Sequence, residues 1–518
     1  MKIQTFLEHH GIGANPFTEE DAQTDPVFKG HCISSTYHPT WDKVYGDPSD
    51  PATSIVFGEK GAGKTALRLQ IARHLEEYNR AHPAGRIYII EYDDFNPFLD
   101  RFRDKLSPRQ RRPDRVLQQW KLWDHMDCIL SLGVTQLVDR LLQNGPPAGG
   151  EANGVETTGG TTGGGATNGP AAAGRAERLN HARLDRLQQR DLLLLAACYD
   201  QSPSETFKQR WHRLRRKLRF RTWRTKWPAA LGIGTAAAAL ALIASLGTWE
   251  WLATPWPYLI LLAAWIPWAA KAWRWWWRGW GIKRHLRVVD REANPLRQVL
   301  TNFAVAEIAG QPLPNKDRTD DRYELLAKLQ NVLKSLGYSG IVVLVDRADE
   351  PHLINGSAEQ MRTFLWPMLD NKFLKHPGIG FKLLLPIELS HFINREDREF
   401  YQRARLDKQN MIPSLEWTGE ALFDVANSRI RACARDGATP SLRSLFDESV
   451  TDRRLIDALR ALRVPRHLFK FMYRLLVAHC NAFTDEAPQW KISGQTFESV
   501  LALYARDQDA LDRGLGAG

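Results

Sequence analysis

Cysteine is scarce and scattered: Cys32, Cys128, Cys198, Cys433 and Cys480 are the only five in 518 residues, and none forms a C-x-x-C pair. That spacing argues against a disulfide framework or a cysteine-rich zinc site and fits a reducing compartment. The first ten residues include Glu8 and hold no long apolar run, which predicts no cleaved signal peptide. No nuclease, protease or deaminase constellation is visible in the sequence. Acidic residues are missing from two stretches, Arg210–Lys226 with nine Lys/Arg and Lys271–Arg287 with six. Outside them the balance is 55 basic against 59 acidic residues, so the formal charge of +11 belongs to these two stretches and not to the whole surface. Large apolar residues are almost absent from Asn144 to Gly174, a Gly/Thr/Ala/Pro tract. Such a tract cannot bury enough surface to offset its chain entropy and reads as a flexible linker.

What is present starts with length. A chain of 518 residues, 43% hydrophobic and 25% charged, is a folded protein of two to four structural units. Between the two basic stretches lie two uncharged runs, Trp227–Trp249 and Trp251–Ala270, separated by Glu250 alone. About 20 apolar residues cross a bilayer as a helix, so residues 227–270 read as a membrane hairpin. Thirteen of the 19 tryptophans fall between Trp211 and Trp280, where an interfacial belt is expected. Cations on both outer flanks put both termini in the cytoplasm, with anionic headgroups near 210–226 and 271–287. This predicts an inner-membrane protein held by a multi-pass hairpin. The competing reading of the same cations is a nucleic-acid-binding helix.

The strongest motif is Gly58-Glu59-Lys60-Gly61-Ala62-Gly63-Lys64-Thr65, a G-x-x-x-x-G-K-T sequence. Ser54–Phe57 before it reads as a buried strand, and Ala66–Arg80 after it as a helix with Leu67, Ile71 and Leu75 on one face. Strand, glycine-rich turn and helix are the context of a phosphate-binding loop. Its glycines let backbone amides turn toward one anion, and the helix N-terminus adds partial positive charge. Lys64 is placed to reach β- and γ-phosphates, and Thr65 to hold Mg²⁺.

Further strands are expected at Arg86–Tyr92, Ile341–Val345, Phe381–Leu385 and Met411–Trp417, with helices between them. The pattern predicts an α/β fold with a parallel sheet covered on both faces. Ile341–Val345 ends in Asp346, a carboxylate at the end of a buried strand and the expected second Mg²⁺ acid. Asp349 and Glu350 follow at once, and one of them is the candidate base for an attacking water. From Thr418 to Arg506 the pattern is helical and contains Val464-Pro465-Arg466 at a helix start.

These residues resemble P-loop NTPases of the additional-strand type, in the AAA+ and STAND region, and more narrowly the KAP family. Three features carry the likeness. A hairpin of membrane type interrupts the chain between the phosphate loop and the magnesium acid. Phe95-Asn96-Pro97-Phe98 is similar to the family's Phe-Asn-x-Trp. The third strand ends in an acidic cluster, although Asp346-Arg347-Ala348-Asp349-Glu350 is closer to the Asp-x-x-Asp-Glu of NACHT-type ATPases. The resemblance implies strand order 5-1-4-3-2, a helical insertion carrying the hairpin, and a C-terminal helical lid, with ATP between core and lid. It makes Arg466 a lid arginine that touches the γ-phosphate, and Arg395, Arg398, Arg403 and Arg405 candidates for an arginine acting in trans.

The resulting division is an NTPase core in residues 1–106 and 338–417, a helical insertion at 107–337 with linker 144–174, and a lid at 418–518. The expected activity is Mg²⁺-dependent ATP hydrolysis coupled to conformational change or assembly at a membrane, in signalling or phage defence. Homo-oligomerisation or a protein partner is expected with it. Two alternatives remain open from sequence: an origin-type AAA+ ATPase acting on nucleic acid, and an ATP-binding scaffold with little turnover.

Overall fold

A computed structural model describes residues 1–34, 36–143, 183–202, 205–221, 227–246 and 254–512. The chain divides into two units, one of residues 1–96, 112–119 and 339–518, the other of residues 97–111 and 120–338. The predicted linker at 144–174 lies outside the described residues, as does the connection at Glu250.

The first unit is built on a five-stranded parallel sheet: β1 Ser54–Gly58, β2 Arg86–Tyr92, β3 Tyr338–Val345, β4 Ile379–Pro386 and β5 Asn410–Ile412. The order is β2-β3-β4-β1-β5, which runs 5-1-4-3-2 when read from the β5 edge. β1 and β4 are buried along their whole length, which explains why neither alternates apolar with polar residues, although β4 carries Lys382 in its middle. β4 lies between β1 and β3, pairing Ile55 with Leu383 on one side and Val343 with Phe381 on the other. β5 is shorter than the expected Met411–Trp417, because Pro413 has no N–H to continue the ladder.

The helix Lys64–Ala81 lays Leu67, Ile71 and Leu75 onto Val56, Val342, Leu344 and Leu384 of the sheet. Burying each of these three side chains contributes about 2 kcal/mol. One cation is enclosed in the same layer. Lys382, in mid-β4, donates to the carbonyls of Val44 at 2.7 Å, Ala52 at 2.9 Å and Tyr45 at 3.0 Å. Burial pushes its ammonium down to about 8, so it stays protonated at neutral pH.

The C-terminal part of this unit comprises the helices Gly419–Ala432, Asp452–Leu462, Pro465–Ala482 and Gly494–Asp512. Their core is shared with the N-terminus. Phe6, Leu7, Ile12 and Phe17 pack with Leu422, Ile430, Leu468 and Leu475. The Met1 ammonium donates to the carbonyls of Cys480, at 3.1 Å, and Phe483. The N-terminal segment, irregular by sequence, is thus part of the C-terminal bundle.

The second unit is helical, with helices Leu122–Gln143, Arg186–Tyr199, Phe207–Lys217, Ala293–Leu300 and Thr319–Ser335 among its elements. Leu192–Leu195 are all buried. Its interior also holds ion pairs: Asp127 with Arg322 at 3.1 Å, Asp124 with Arg287 at 2.6 Å and Asp200 with Arg210 at 2.7 Å.

The hairpin expectation is corrected here. Helices Trp227–Leu246 and Trp256–His285 do form and pack on each other, but among the described residues no helix is long and apolar enough to cross a membrane. The multi-pass inner-membrane placement therefore does not stand. The physical reasons are local. In the second helix only Trp256–Ala270 precede Lys271, a run about 22 Å long against a core of about 30 Å. Of the 20 residues of the first helix, eight are Ala and two Gly, which bring little apolar area. The flanking residues also have other partners. Trp211 is buried and donates to Leu193 O at 2.9 Å, and Trp275 is buried under the Arg278 guanidinium. Arg210 and Arg287 are spent on the buried acids named above, not on headgroups.

Replacing Lys382 by Met should take the ammonium from the carbonyls of Tyr45 and Ala52 and leave Val44 O with the Ser54 hydroxyl alone. We expect a loss of about 3 kcal/mol, read as a lower urea midpoint by circular dichroism; an unchanged midpoint would remove Lys382 from the stability of the sheet.

Candidate phosphate-binding site

The loop after β1 takes its shape from two glycines. Gly61 and Gly63 have φ of +91° and +93°, values that L side chains rarely adopt. Gly61 also meets the helix Pro465–Ala482 end-on: a Cβ added to it would lie 2.6 Å from Cβ of Arg466. The Arg466 amide faces Gly61 O at 3.4 Å, and the Trp417 indole donates to Ala62 O at 2.8 Å. The start of the Pro465–Ala482 helix and Trp417, just before the Gly419–Ala432 helix, thus grip the loop at two successive residues.

Lys64 opens the loop helix and folds back, donating to Gly58 O at 2.8 Å and Glu59 O at 2.9 Å. Burial lowers its pKa, and the charges of Asp349, Asp346 and Glu388 oppose that shift. Thr65 donates to Asp346 Oδ2 at 2.9 Å across 281 residues of sequence. Asp346 is only 1% exposed. Burial raises its pKa, countered by the Thr65 hydroxyl, the Arg68 guanidinium, the Arg347 amide and Lys64.

The two candidate bases are placed differently. Asp349 is half-buried and lines the cavity with its charge near Lys64. Glu350 is exposed and faces Arg347 at 3.5 Å; burial raises its pKa and Arg347 opposes the rise. Arg347 itself has φ of +59° and reaches Asp21 at 3.7 Å. Its place between the acids is thus a backbone turn that re-aims the side chain.

A cavity opens over the loop, lined by Lys60, Gly61, Gly63, Lys64, Thr65, Asp346, Asp349, Glu350 and Arg466 of the predicted residues. None of Arg395, Arg398, Arg403 and Arg405 is among the described residues lining it. Sequence reasoning missed the rest of the wall. Residues between Glu20 and His38 line it, as do Trp417, Arg429 and Phe469. Arg429 holds this wall: it pairs with buried Asp25 at 2.5 Å, donates to Pro16 O at 2.7 Å, and lies 4.3 Å from the Phe469 ring centre. Glu20 faces Arg466 at 3.8 Å and Lys470 at 3.4 Å. Phe28 and Cys32, on a short π-turn, contribute apolar lining, as do Val425 and Phe469. Asn15-Pro16-Phe17 and Asp25-Pro26 were the only signals available, and they mark turns without saying what the turns face.

The donor set fits a magnesium–phosphate group. Among the described residues no three His, Cys, Asp or Glu side chains cluster as a cage. One hydroxyl and one carboxylate, both hard oxygens and in contact, are what Mg²⁺ takes from a protein when phosphates and water complete its shell.

Gly61→Ala should force the Pro465–Ala482 helix start off the loop. We expect a loss of about 2 kcal/mol, seen as a lower thermal midpoint, whereas Gly30→Ala, with nothing within 4 Å, should leave it unchanged. Comparison of the chain with protein-family models, with curated proteins and with solved structures gave no match.

Proposed function

We propose that the chain is a P-loop ATPase that binds ATP with Mg²⁺ over Gly58–Thr65 and hydrolyses it. The observation that carries this reading is the Thr65–Asp346 contact at 2.9 Å beneath a loop of positive-φ glycines. The order 5-1-4-3-2 supports the additional-strand class. Without a spanning helix among the described residues, the narrower likeness to KAP proteins keeps two of its three supports, the Phe-Asn motif and the acidic cluster.

In this reading Lys64 leaves the carbonyls of Gly58 and Glu59 for phosphate oxygens, which replace two neutral acceptors by charged ones. Thr65 and Asp346 hold the metal. Mg²⁺, when bound, supplies charge neutralisation at the β- and γ-oxygens. Asp349 or Glu350 accepts the proton of the attacking water. Arg466 faces the same space from the C-terminal helices, which would act as the lid, and exchanges Glu20 for the γ-phosphate. The apolar side chains of Phe28, Cys32, Val425 and Phe469 in the lining suit a nucleobase. Because Arg466 and Trp417 touch the loop, occupancy of the site would be felt directly by the C-terminal helices.

A scaffold with little turnover is the second reading. It is favoured by one observation, the Glu350 carboxylate facing the Arg347 guanidinium at 3.5 Å.

Lys64→Ala should abolish ATP turnover, and Asp346→Asn should impair its Mg²⁺-dependent part, both measured by phosphate release. Turnover at the parental rate in Lys64→Ala would show the site to be misassigned. Asp349→Asn and Glu350→Gln should differ in turnover while keeping ATP binding; equal, mild effects would exclude both from the base role.

A further inference from the structure

Arg68 has no assigned part in a phosphate loop, yet it is among the most buried charges in the first unit, 2% exposed. It lies one helical turn after Lys64, on the helix that the loop opens. Its guanidinium spans the ends of two neighbouring strands. Nη1 reaches Glu91 Oε2 at 2.9 Å and Asp93 Oδ2 at 2.5 Å, at the end of β2. Nε faces Asp346 Oδ2 at 3.6 Å, at the end of β3, and is buried with no hydrogen-bond acceptor in range. Thr65 donates to that same oxygen.

We infer that Arg68 is a positioning residue for the magnesium acid: anchored to Glu91 and Asp93, it fixes the Asp346 carboxylate in the orientation from which it takes Mg²⁺ together with Thr65. The inference rests on the nucleotide reading above. Three arguments support it. A carboxylate as buried as Asp346 needs a fixed partner, and Arg68 is the nearest side-chain cation with its own anchor. The anchor comes from a different strand, so the guanidinium cannot follow Asp346 if it rotates. A planar fork suits the task, because Nη1 meets Asp93 while Nε faces Asp346, two separate nitrogens where Lys has one. Without Arg68, Asp93 and Asp346 would also lose the cation that lies between them.

The test uses the full chain and a fluorescent ATP analogue, titrated with Mg²⁺ and separately in EDTA. Arg68→Met should raise the Mg²⁺ concentration for half-maximal effect roughly ten-fold, as loss of an outer-shell partner does. Affinity in EDTA should stay at the parental value. Arg68→Lys should fall between Met and parent. A parent that binds the analogue in neither condition defeats the nucleotide reading and this inference with it. A parent that binds, with Arg68→Met titrating like it, defeats this inference alone, and so does an equal loss in Mg²⁺ and EDTA, the mark of a merely structural role. Should Arg68→Met fail to fold, Asp93→Asn loosens the anchor with Arg68 in place: a rise in the Mg²⁺ requirement supports the inference, and an unchanged requirement overturns it.

Discussion

One hydrogen bond ties the candidate site together, Thr65 Oγ1 to Asp346 Oδ2. It exists because β4 inserts between β1 and β3 in a parallel sheet, so that both chain ends leave the sheet on the same side. Open parallel sheets place ligands at the carboxyl ends of their strands. Here that rule acts across 281 residues of sequence. The contact also has an electrostatic cost, since it takes a carboxylate out of water. Thr65, Arg68, Lys64 and the Arg347 amide offset that cost from four directions.

The second constraint is mechanical. The phosphate loop is held from above by Arg466 at Gly61 and by Trp417 at Ala62. Trp417 is steadied by an edge contact with His38, whose Nε2 faces Glu416 O at 2.8 Å; burial lowers the imidazole pKa and the Glu416 carbonyl opposes the shift. The N-terminal segment shares a core with the C-terminal helices and closes one side of the cavity through the Asp25–Arg429 pair. A ligand in the cavity would therefore meet the loops that follow β1 and β3, the N-terminal segment and the C-terminal helices at once.

The parts legible in sequence were those written in short, local patterns. The apolar runs at Ile55–Phe57 and Ile341–Val345, and Phe381–Leu385 with its one lysine, showed buried parallel strands, and G-x-x-x-x-G-K-T named its own turn. Asp346 was found because it ends such a run. Arg68 was not, because an Arg in a helix ordinarily lies on a solvated face, and only the fold brings Asp93 and Asp346 to it. Glu20, Asp25 and Phe28 were illegible for a similar reason: turn-formers give the path of the chain but not its partners. The hairpin misled for a different reason. Uncharged length counts residues without regard to packing, and Trp211, Trp275, Arg210 and Arg287 are all turned into the second unit. Those are two of the thirteen tryptophans and two of the fifteen cations that made up the pattern.

The central claim is that one nucleotide sits over Gly58–Thr65 with Mg²⁺ on Thr65 and Asp346. Isothermal titration of the full chain with a non-hydrolysable ATP analogue tests it most directly, run with Mg²⁺ and again in EDTA. The account predicts one analogue bound per chain, more tightly with Mg²⁺ than without. Absence of binding at millimolar analogue, or an affinity indifferent to Mg²⁺, would contradict it.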